Sequence, residues 1–237
     1  MIKNNISIRV QGLNKSYGFL KVLNNIDLDF YKGEFVTFFG PNGAGKTTLI
    51  KILSTLIKPD SGEIKINEFN LKKEVQEIRK VVGLISHENF LYHNLTVKEN
   101  MKFFGELYGI SNLSEIITSN LKKLDIYSKK DELVRNLSNG MKQRVSIARA
   151  ILHGPEILLF DEPFVGLDYE GISLLMDLLN ESKEKAKTVV ITTHDLNLGL
   201  KHCDTVIVLD NGSIKYKKPA CNLDLNDFEQ EYKSLIS

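Results

Sequence analysis

A glycine-rich segment ends in a lysine and a threonine. It runs Gly40, Pro41, Asn42, Gly43, Ala44, Gly45, Lys46 and Thr47, which fits G-x-x-x-x-G-K-S/T between a strand-like run and a helical stretch. Glycines let backbone N–H groups turn toward phosphate oxygens, and the start of a helix adds positive partial charge. Lys46 would reach the terminal phosphates, Thr47 would bind Mg²⁺, and Thr48 would support an inner phosphate. A chance glycine-rich turn would not need this strand-and-helix context, so the segment predicts a nucleoside triphosphate site.

Two adjacent carboxylates, Asp161 and Glu162, follow the apolar run at 157–160. Charges at the end of a buried strand are costly unless they have a use. Asp161 suits the surroundings of Mg²⁺, and Glu162 is placed to polarise a water that attacks the γ-phosphate. A merely solvated strand end is the alternative, and the phosphate-binding segment argues against it.

A second anion site is indicated at residues 137–144, which read Leu-Ser-Asn-Gly-Met-Lys-Gln-Arg. Ser138 and Gly140 open a predicted helix, so they offer a hydroxyl and backbone N–H groups at its positive end. A plain N-cap by Ser138 is the alternative. The position about a hundred residues after the first motif and shortly before Asp161 instead favours a phosphate pocket completed on another copy of the chain.

The elements that must position these residues alternate between strands and helices. Strand-like apolar runs occur at 6–10, 26–30, 34–39, 62–66, 81–85, 157–160, 188–192 and 205–209, and helical spacing at 47–57 and 141–152. From about 87 to 153 the apolar spacing is helical throughout, which predicts a helical insert. The pattern predicts an α/β fold with a largely parallel sheet and helices on both faces. The last 15 or so residues are polar and predict nothing definite.

Composition narrows the class of protein. The 237 residues carry 31 Lys and Arg against 30 Asp and Glu, a net charge of +1, so no direct nucleic-acid partner is expected. Two cysteines are too few for a disulfide framework. No apolar run approaches the ~20 residues of a membrane span, and the first residues do not resemble a signal peptide. We therefore expect a soluble, intracellular chain.

With these motifs together, the sequence resembles the ATP-binding cassette (ABC) ATPases over nearly its whole length. The family's LSGGQ appears as LSNGM at 137–141, with Asn139 and Met141 at the altered positions. The resemblance implies a P-loop (RecA-like) nucleotide-binding core, a small antiparallel β subdomain and an inserted helical subdomain. Residues 1–237 would form one ABC ATPase domain, with the core at about 1–86 and 154–237 and the helical subdomain at about 87–153.

The resemblance also assigns roles to single residues. Tyr17 would stack on adenine, although it could equally be a core or edge tyrosine. Asp168 would belong to a loop that touches the opposing subunit, and His194 would sense the γ-phosphate beside the catalytic Glu162 and Lys46. ATP and Mg²⁺ would be bound between two chains, either a homodimer or this chain with a paired ATPase subunit.

One position departs from the family pattern. Where the family carries a glutamine after the strand at 81–85, this chain has His87. Imidazole is a poor partner for Mg²⁺, which prefers oxygen ligands. We therefore expect His87 to act through a bridging water or to relay movement to the helical insert, with Glu88 as a less favoured substitute.

The amino-acid sequence around 86–109 resembles that of transporter ATPases of the haem-exporter, cytochrome-c-maturation and drug-efflux type. Phe90, Leu91 and Tyr92 would line a groove for a helix of an integral membrane subunit, unless they pack inside the insert. The implied function is ATP hydrolysis that powers translocation, with export favoured, from the cytoplasmic face of a membrane. The alternatives are a soluble ABC ATPase acting on a nucleic-acid or ribosomal partner, and a P-loop phosphotransferase that would not need Ser138 or His194.

Overall fold

The computed structural model describes residues 5–86 and 88–236. Its first sheet is antiparallel and has the order β2-β1-β4-β5. These strands are β1 (Ile6–Tyr17), β2 (Leu20–Tyr31), β4 (Ser61–Ile66) and β5 (Phe69–Asn70). Alternating burial along β1 and β2 puts one face of this sheet on the core, as the alternating apolar pattern predicts.

The second sheet has the order β10-β9-β3-β8-β7-β6. All of its neighbouring strands pair in parallel except β10, which is antiparallel at the edge. The strands are β3 (Phe35–Phe39), β6 (Val82–Ser86), β7 (Ile157–Asp161), β8 (Thr188–Thr192), β9 (Thr205–Asp210) and β10 (Ser213–Pro219). The predicted α/β class with a largely parallel sheet is therefore confirmed.

Helices cover both faces of the second sheet. They are α1 (Lys46–Leu53), α2 (Val75–Val81), α3 (Val97–Leu107), α4 (Leu113–Lys123), α5 (Asn139–Ala150), α6 (Tyr169–Glu184), α7 (Leu196–Leu200) and α8 (Leu225–Leu235). Short 3₁₀ turns occur at Tyr127–Lys129, Val134–Asn136 and Ala220–Asn222. Helices α3 to α5 form the helical insert between β6 and β7.

The central strands divide the core because successive side chains point to opposite faces. In β7, Leu159 joins the cluster that contains α1 and the antiparallel sheet. Leu158 and Phe160 join the cluster that contains α5 and α6. A strand buried on both faces reads as a continuous apolar run, which is why the sequence predicts it clearly.

The first helix ends earlier than the predicted 47–57. Helix α1 stops at Leu53, and Thr55 adopts a left-handed conformation with φ 64°. The N–H of Leu56 donates to the carbonyl of Lys51 at 2.9 Å, and that of Thr55 to Ile52 at 2.9 Å. This is the Schellman pattern of helix termination, which usually uses glycine. Threonine in the glycine position gives no such signal in the sequence.

The C-terminal segment also forms regular structure where the sequence predicts none. Asp224 caps α8 by accepting hydrogen bonds from the backbone N–H groups of Asn226 and Asp227 at 2.8 and 3.4 Å. Phe228 is fully buried, and its ring centroid lies 5.4 Å from that of Phe39. The helix therefore packs over the strand that leads into the phosphate-binding segment.

Across residues 5–86 and 88–236, no helix is both long enough and apolar enough to cross a bilayer.

Candidate active site

The phosphate-binding segment forms the loop between β3 and α1. Its geometry depends on glycine: Gly45 has φ 108°, and a Cβ there would lie 2.7 Å from the Val22 carbonyl oxygen. A Cβ on Gly40 would collide with the carbonyl of Leu209. The loop is thus pressed against β2 and β9, so its backbone cannot carry side chains at these positions.

The side chain of Lys46 reaches back to the start of the phosphate-binding loop. Its Nζ donates hydrogen bonds to the carbonyls of Gly40 at 2.6 Å and Pro41 at 3.1 Å, and it lies 4.0 Å from Glu162 Oε1. Burial lowers the pKa of Lys46, and the nearby carboxylates of Glu162 and Asp161 oppose that shift. The ammonium group is thus held at the position where a phosphate would enter the loop.

Asp161 is buried at the end of β7 and accepts two hydroxyl hydrogen bonds. Thr47 Oγ1 donates to its Oδ1 at 3.0 Å, and Thr192 Oγ1 donates to the same atom at 2.7 Å. The register pairs Asp161 with Thr192 on the adjacent strand, which fixes the second of these contacts. Carboxylate and hydroxyl oxygens are the ligands that Mg²⁺ prefers, so this donor set fits the ion.

Glu162 is held in a disfavoured backbone conformation, with φ 51°. Its N–H donates to the Thr192 carbonyl at 3.0 Å. Its Oε2 lies within hydrogen-bond distance of His194 Nδ1, at 3.0 Å. The carboxylate of Glu162 therefore lies between the Lys46 ammonium and the His194 ring. The sequence predicted a role for each of these three residues but not their contacts with one another.

Tyr17 is about half exposed at the end of β1, with its ring centroid 5.5 Å from Lys15 Nζ. It pairs with Leu20 in the same hairpin whose Val22 carbonyl borders Gly45. The hairpin tip thus adjoins the phosphate-binding loop, and the tyrosine is not a core residue.

Ser138 caps α5, as the plain interpretation predicts, because its Oγ accepts from the Met141 N–H at 3.2 Å. The side chain nevertheless stays exposed. No hydrogen bond or ion pair among the described residues joins Ser138 or Gly140 to residues 40–48 of the same chain. A Cβ on Gly140 would lie 3.5 Å from the Gly166 carbonyl, so the start of α5 borders the loop that follows Glu162.

Asp168 caps α6, and its Oδ1 accepts from the Gly171 N–H at 2.8 Å and from Arg144 Nη2 at 3.0 Å. These two contacts hold the pKa of Asp168 below its ordinary value. Arg144 also donates to Glu170 Oε2 at 3.0 Å. The loop before α6 is thereby tied to α5.

Of the three residues predicted to line a groove, Leu91 is buried, whereas Phe90 and Tyr92 are partly or fully accessible. Leu91 is buried in the core of the helical insert, so for this residue the packing alternative is correct. Phe90 is half-buried, and Tyr92 is exposed and packs edge-on to Phe103 with ring centroids 4.9 Å apart. His87 lies outside the described residues. Glu88 Oε1 accepts from Lys51 Nζ at 2.9 Å.

Comparison with known proteins decides the family. The model of the ABC transporter family matches residues 23–165, which include the loop at 40–48 and both carboxylates. The chain belongs to the ABC transporter family. As the sequence predicts, it is an ATP-binding subunit that hydrolyses ATP.

Relatives and solved structures agree with this membership. The chain is 35% identical to the ABC transporter ATP-binding protein NatA of Bacillus subtilis, over 84% of the chain and 82% of that protein. It is 33% identical to the Nod factor export ATP-binding protein I of Bradyrhizobium diazoefficiens, over 94% of the chain and 74% of that protein. The ATP-binding cassette MJ0796, solved as a dimer in a post-hydrolysis state with ADP and Pi, superposes with a TM-score of 0.84 at 28% identity. That alignment covers 91% of this chain and all of the other.

Two polar residues of this ABC cassette were missed by the sequence analysis. Thr192 bonds Asp161 and the Glu162 backbone, and Arg144 ties Asp168 to α5. Thr192 stands two residues before His194 at the end of a predicted strand, which is the signal that could have found it. Arg144 ends the motif at 137–144, but that motif does not indicate its partners Asp168 and Glu170, which lie 24 and 26 residues away.

Proposed function

We propose that this ABC ATPase binds ATP with Tyr17 and residues 40–48, and that it powers export through a separate membrane subunit. The observation that supports the catalytic part is the convergence of Lys46, Asp161 and Glu162 beside His194. Lys46 follows the loop after β3, and the other three residues lie at or just after the ends of β7 and β8, where ligands of open α/β sheets bind.

Magnesium belongs to this proposal through Thr47 and Asp161. When bound, the ion would neutralise phosphate charge and orient the phosphate oxygens. In the described structure, the Thr47 hydroxyl donates to the Asp161 carboxylate. Turning that hydroxyl away would leave two oxygens available to the ion.

The residues of the chain then have separate tasks in hydrolysis. Lys46 would exchange the carbonyls of Gly40 and Pro41 for phosphate oxygens. Glu162 accepts a proton from the attacking water, and His194 Nδ1 orients the carboxylate through the 3.0 Å hydrogen bond. Positioning and charge stabilisation carry the reaction, with no covalent intermediate.

A second ATPase chain completes the site in this proposal. Ser138 and Gly140 of one subunit would face the phosphates held by residues 40–48 of the other, and Asp168 would lie in a loop that touches the opposing subunit. The exposed hydroxyl of Ser138 at the positive end of α5 supports this, since a helix N-terminus favours anions. The dimeric form of the similar cassette MJ0796 supports it as well. The partner would be a second copy or a paired ATPase subunit.

Transport would be coupled through an integral membrane subunit that also selects the substrate. The resemblance of residues 86–109 to exporter ATPases and the similarity to a Nod factor export protein support outward transport. Phe90 and Tyr92 remain available to a partner helix, whereas Leu91 is not. In this arrangement the chain would lie at the cytoplasmic face of the membrane.

Affinity purification from native membranes tests the coupling. The tagged chain is extracted in mild detergent, and proteins present in stoichiometric amount are identified. We expect a membrane protein with several spans. A ribosome, a DNA complex or no partner, with the chain wholly in the soluble fraction, would contradict the transport proposal while leaving the ATPase chemistry intact.

A further inference from the structure

The C-terminal helix α8 packs next to the start of the phosphate-binding loop. The ring centroid of Phe228 lies 5.4 Å from that of Phe39 and 6.1 Å from that of Tyr232, which follows one turn later on the same helix. All three residues belong to one apolar cluster with side chains of α7 and β9. Phe39 ends β3 and directly precedes Gly40, the first residue of the loop. Tyr232 is thereby brought to the point where the loop begins.

The hydroxyl of Tyr232 gives this aromatic cluster a polar contact with the site. It interacts with the backbone of Gly40. Burial raises the pKa of Tyr232, the nearby carboxylates of Asp210 and Glu162 raise it further, and the interaction with Gly40 opposes the shift. The phenol is therefore uncharged at neutral pH, so it adds no negative charge to the surroundings of Glu162.

Gly40 is held by other contacts as well, and one of them is given up when ATP binds. A Cβ on Gly40 would collide with the Leu209 carbonyl, so β9 borders this residue closely. Lys46 Nζ donates to the Gly40 carbonyl at 2.6 Å. In the proposed function that ammonium group turns to the phosphates. Tyr232 takes no part in the exchange, so its contact with Gly40 persists when ATP is bound.

The same cluster ties the loop to α7, the helix that follows His194. A Cβ on Gly199 of α7 would lie 2.6 Å from the Phe39 ring, and Thr37 Oγ1 donates to the Gly199 carbonyl at 2.9 Å. Phe39 is therefore in close contact with α7 as well as with Phe228 of α8. Helix α8 thus adjoins both the strand that leads into the loop and the helix after the histidine.

We propose that Tyr232 is a positioning residue of the ATP site, and that its hydroxyl fixes Gly40 at the start of the phosphate-binding loop. The loop binds phosphate through backbone N–H groups, whose directions depend on where the loop begins. Tyr232 acts through the loop backbone and not on the reacting atoms, so it affects ATP binding and leaves hydrolysis of bound ATP to Glu162 and His194. The inference rests on the proposed binding of ATP by residues 40–48.

Two substitutions at one position separate the hydroxyl from the ring. Tyr232→Phe keeps the packing against Phe228 and removes only the hydroxyl. We expect it to raise the Kd for a fluorescent ATP analogue about three- to tenfold, the scale of one hydrogen bond. Its kcat at saturating ATP and its urea unfolding midpoint should stay close to those of the wild type. Tyr232→Ala should weaken ATP binding at least as much and also lower the stability, because the ring is lost as well.

Tyr216→Phe is the matched control, since it removes another hydroxyl from the same cluster. The ring centroid of Tyr216 lies 5.8 Å from that of Phe228, and its hydroxyl lies beside Lys218 and Glu231 instead of the loop. We expect this variant to bind ATP as tightly as the wild type.

Three outcomes would overturn the inference. They are an unchanged Kd in both Tyr232 variants, wild-type affinity in Tyr232→Phe beside a loss in Tyr232→Ala, which packing alone would explain, and a loss in Tyr216→Phe equal to that in Tyr232→Phe. Lys46→Ala is measured in parallel. If it weakens ATP binding and Tyr232→Phe does not, the assignment of Tyr232 fails alone, whereas normal ATP binding by Lys46→Ala would reject the proposed site itself.

Discussion

At the scale of single residues, the site is held together by a few hydrogen bonds that restrict Glu162. The residue has a left-handed backbone, and its carboxylate lies between Lys46 and His194. Such conformations cost about 1–3 kcal/mol and persist where the surrounding structure enforces them, often at functional sites. Here the backbone bond to Thr192 enforces it, which directs the carboxylate toward the phosphate-binding loop.

Glu162→Gln should separate ATP binding from hydrolysis. The amide keeps the size of the side chain but accepts a proton far less readily, so turnover should fall by about 10²–10⁴-fold, the usual range for loss of a general base. ATP affinity should stay close to that of the wild type, and ATP with Mg²⁺ should trap a closed dimer in size-exclusion chromatography. Glu184→Gln, on the exposed side of α6, is the matched control. Rapid hydrolysis by Glu162→Gln would remove this residue from the proposed role.

At the scale of elements, the phosphate-binding loop depends on its close contact with β2. Gly45→Ala places a Cβ 2.7 Å from the Val22 carbonyl and 2.8 Å from a methyl group of Leu23, at φ 108°. The loop must move, so we expect ATP affinity to fall about tenfold or more, equivalent to the 1–3 kcal/mol cost of such strain. Titration with a fluorescent ATP analogue measures this.

Gly109→Ala controls for backbone strain alone. Gly109 also has a positive φ, 64°, but nothing lies within 4 Å of its ideal Cβ. It ends α3, away from the loop. We expect this variant to lose some stability and to keep its affinity for ATP. An equal loss of affinity in both variants would show that general destabilisation, and not the loop, is responsible.

Helix α8 should contribute strongly to stability through one residue. Phe228 is fully buried against Phe39, so Phe228→Ala should lower the free energy of unfolding by about 3–5 kcal/mol. Urea denaturation measures the change. Phe19→Ala, at a fully exposed phenylalanine of the β1–β2 turn, should change it by less than about 0.5 kcal/mol. Similar effects of the two substitutions would contradict the packing of α8.

The sequence predicts the elements whose signal is local and fails where tertiary contacts decide. Parallel strands such as β7 are continuous apolar runs because both faces are buried. The end of α1 was predicted too late because Thr55 takes the position usual for glycine. Helix α8 was not predicted because Phe228 becomes a core residue only against Phe39, a residue of a distant strand.

The candidate site likewise contains residues that local motifs predict and contacts that they do not. Residues 40–48, Asp161 and Glu162 were recognisable from local motifs. The hydrogen bond from His194 to Glu162 spans 32 residues, and that from Arg144 to Asp168 spans 24. Such pairings depend on strand order and helix packing, which motif spacing does not specify. The burial of Leu91, which was otherwise expected to line a groove, likewise depends on the packing of the helical insert.

At the scale of the whole molecule, ATP binding would bring together two surfaces. The phosphate-binding loop of one ATPase chain would meet the exposed start of α5 of the other. ATP bound between the chains would hold them together, and hydrolysis would replace it with ADP and phosphate that repel each other. Opening and closing would thereby be transmitted to the membrane subunit.

Mixing two inactive variants tests whether one ATP site is completed by a second ATPase chain, in the case where both chains are copies of this one. Lys46→Ala loses the phosphate contact, and Ser138→Arg blocks the contact from the opposing chain, so each variant alone should hydrolyse ATP slowly. In a mixed dimer one site combines the intact loop of the Ser138→Arg chain with the intact Ser138 of the Lys46→Ala chain. We predict that an equimolar mixture recovers turnover well above that of either variant. No recovery, with both variants folded, would contradict a site shared between two copies.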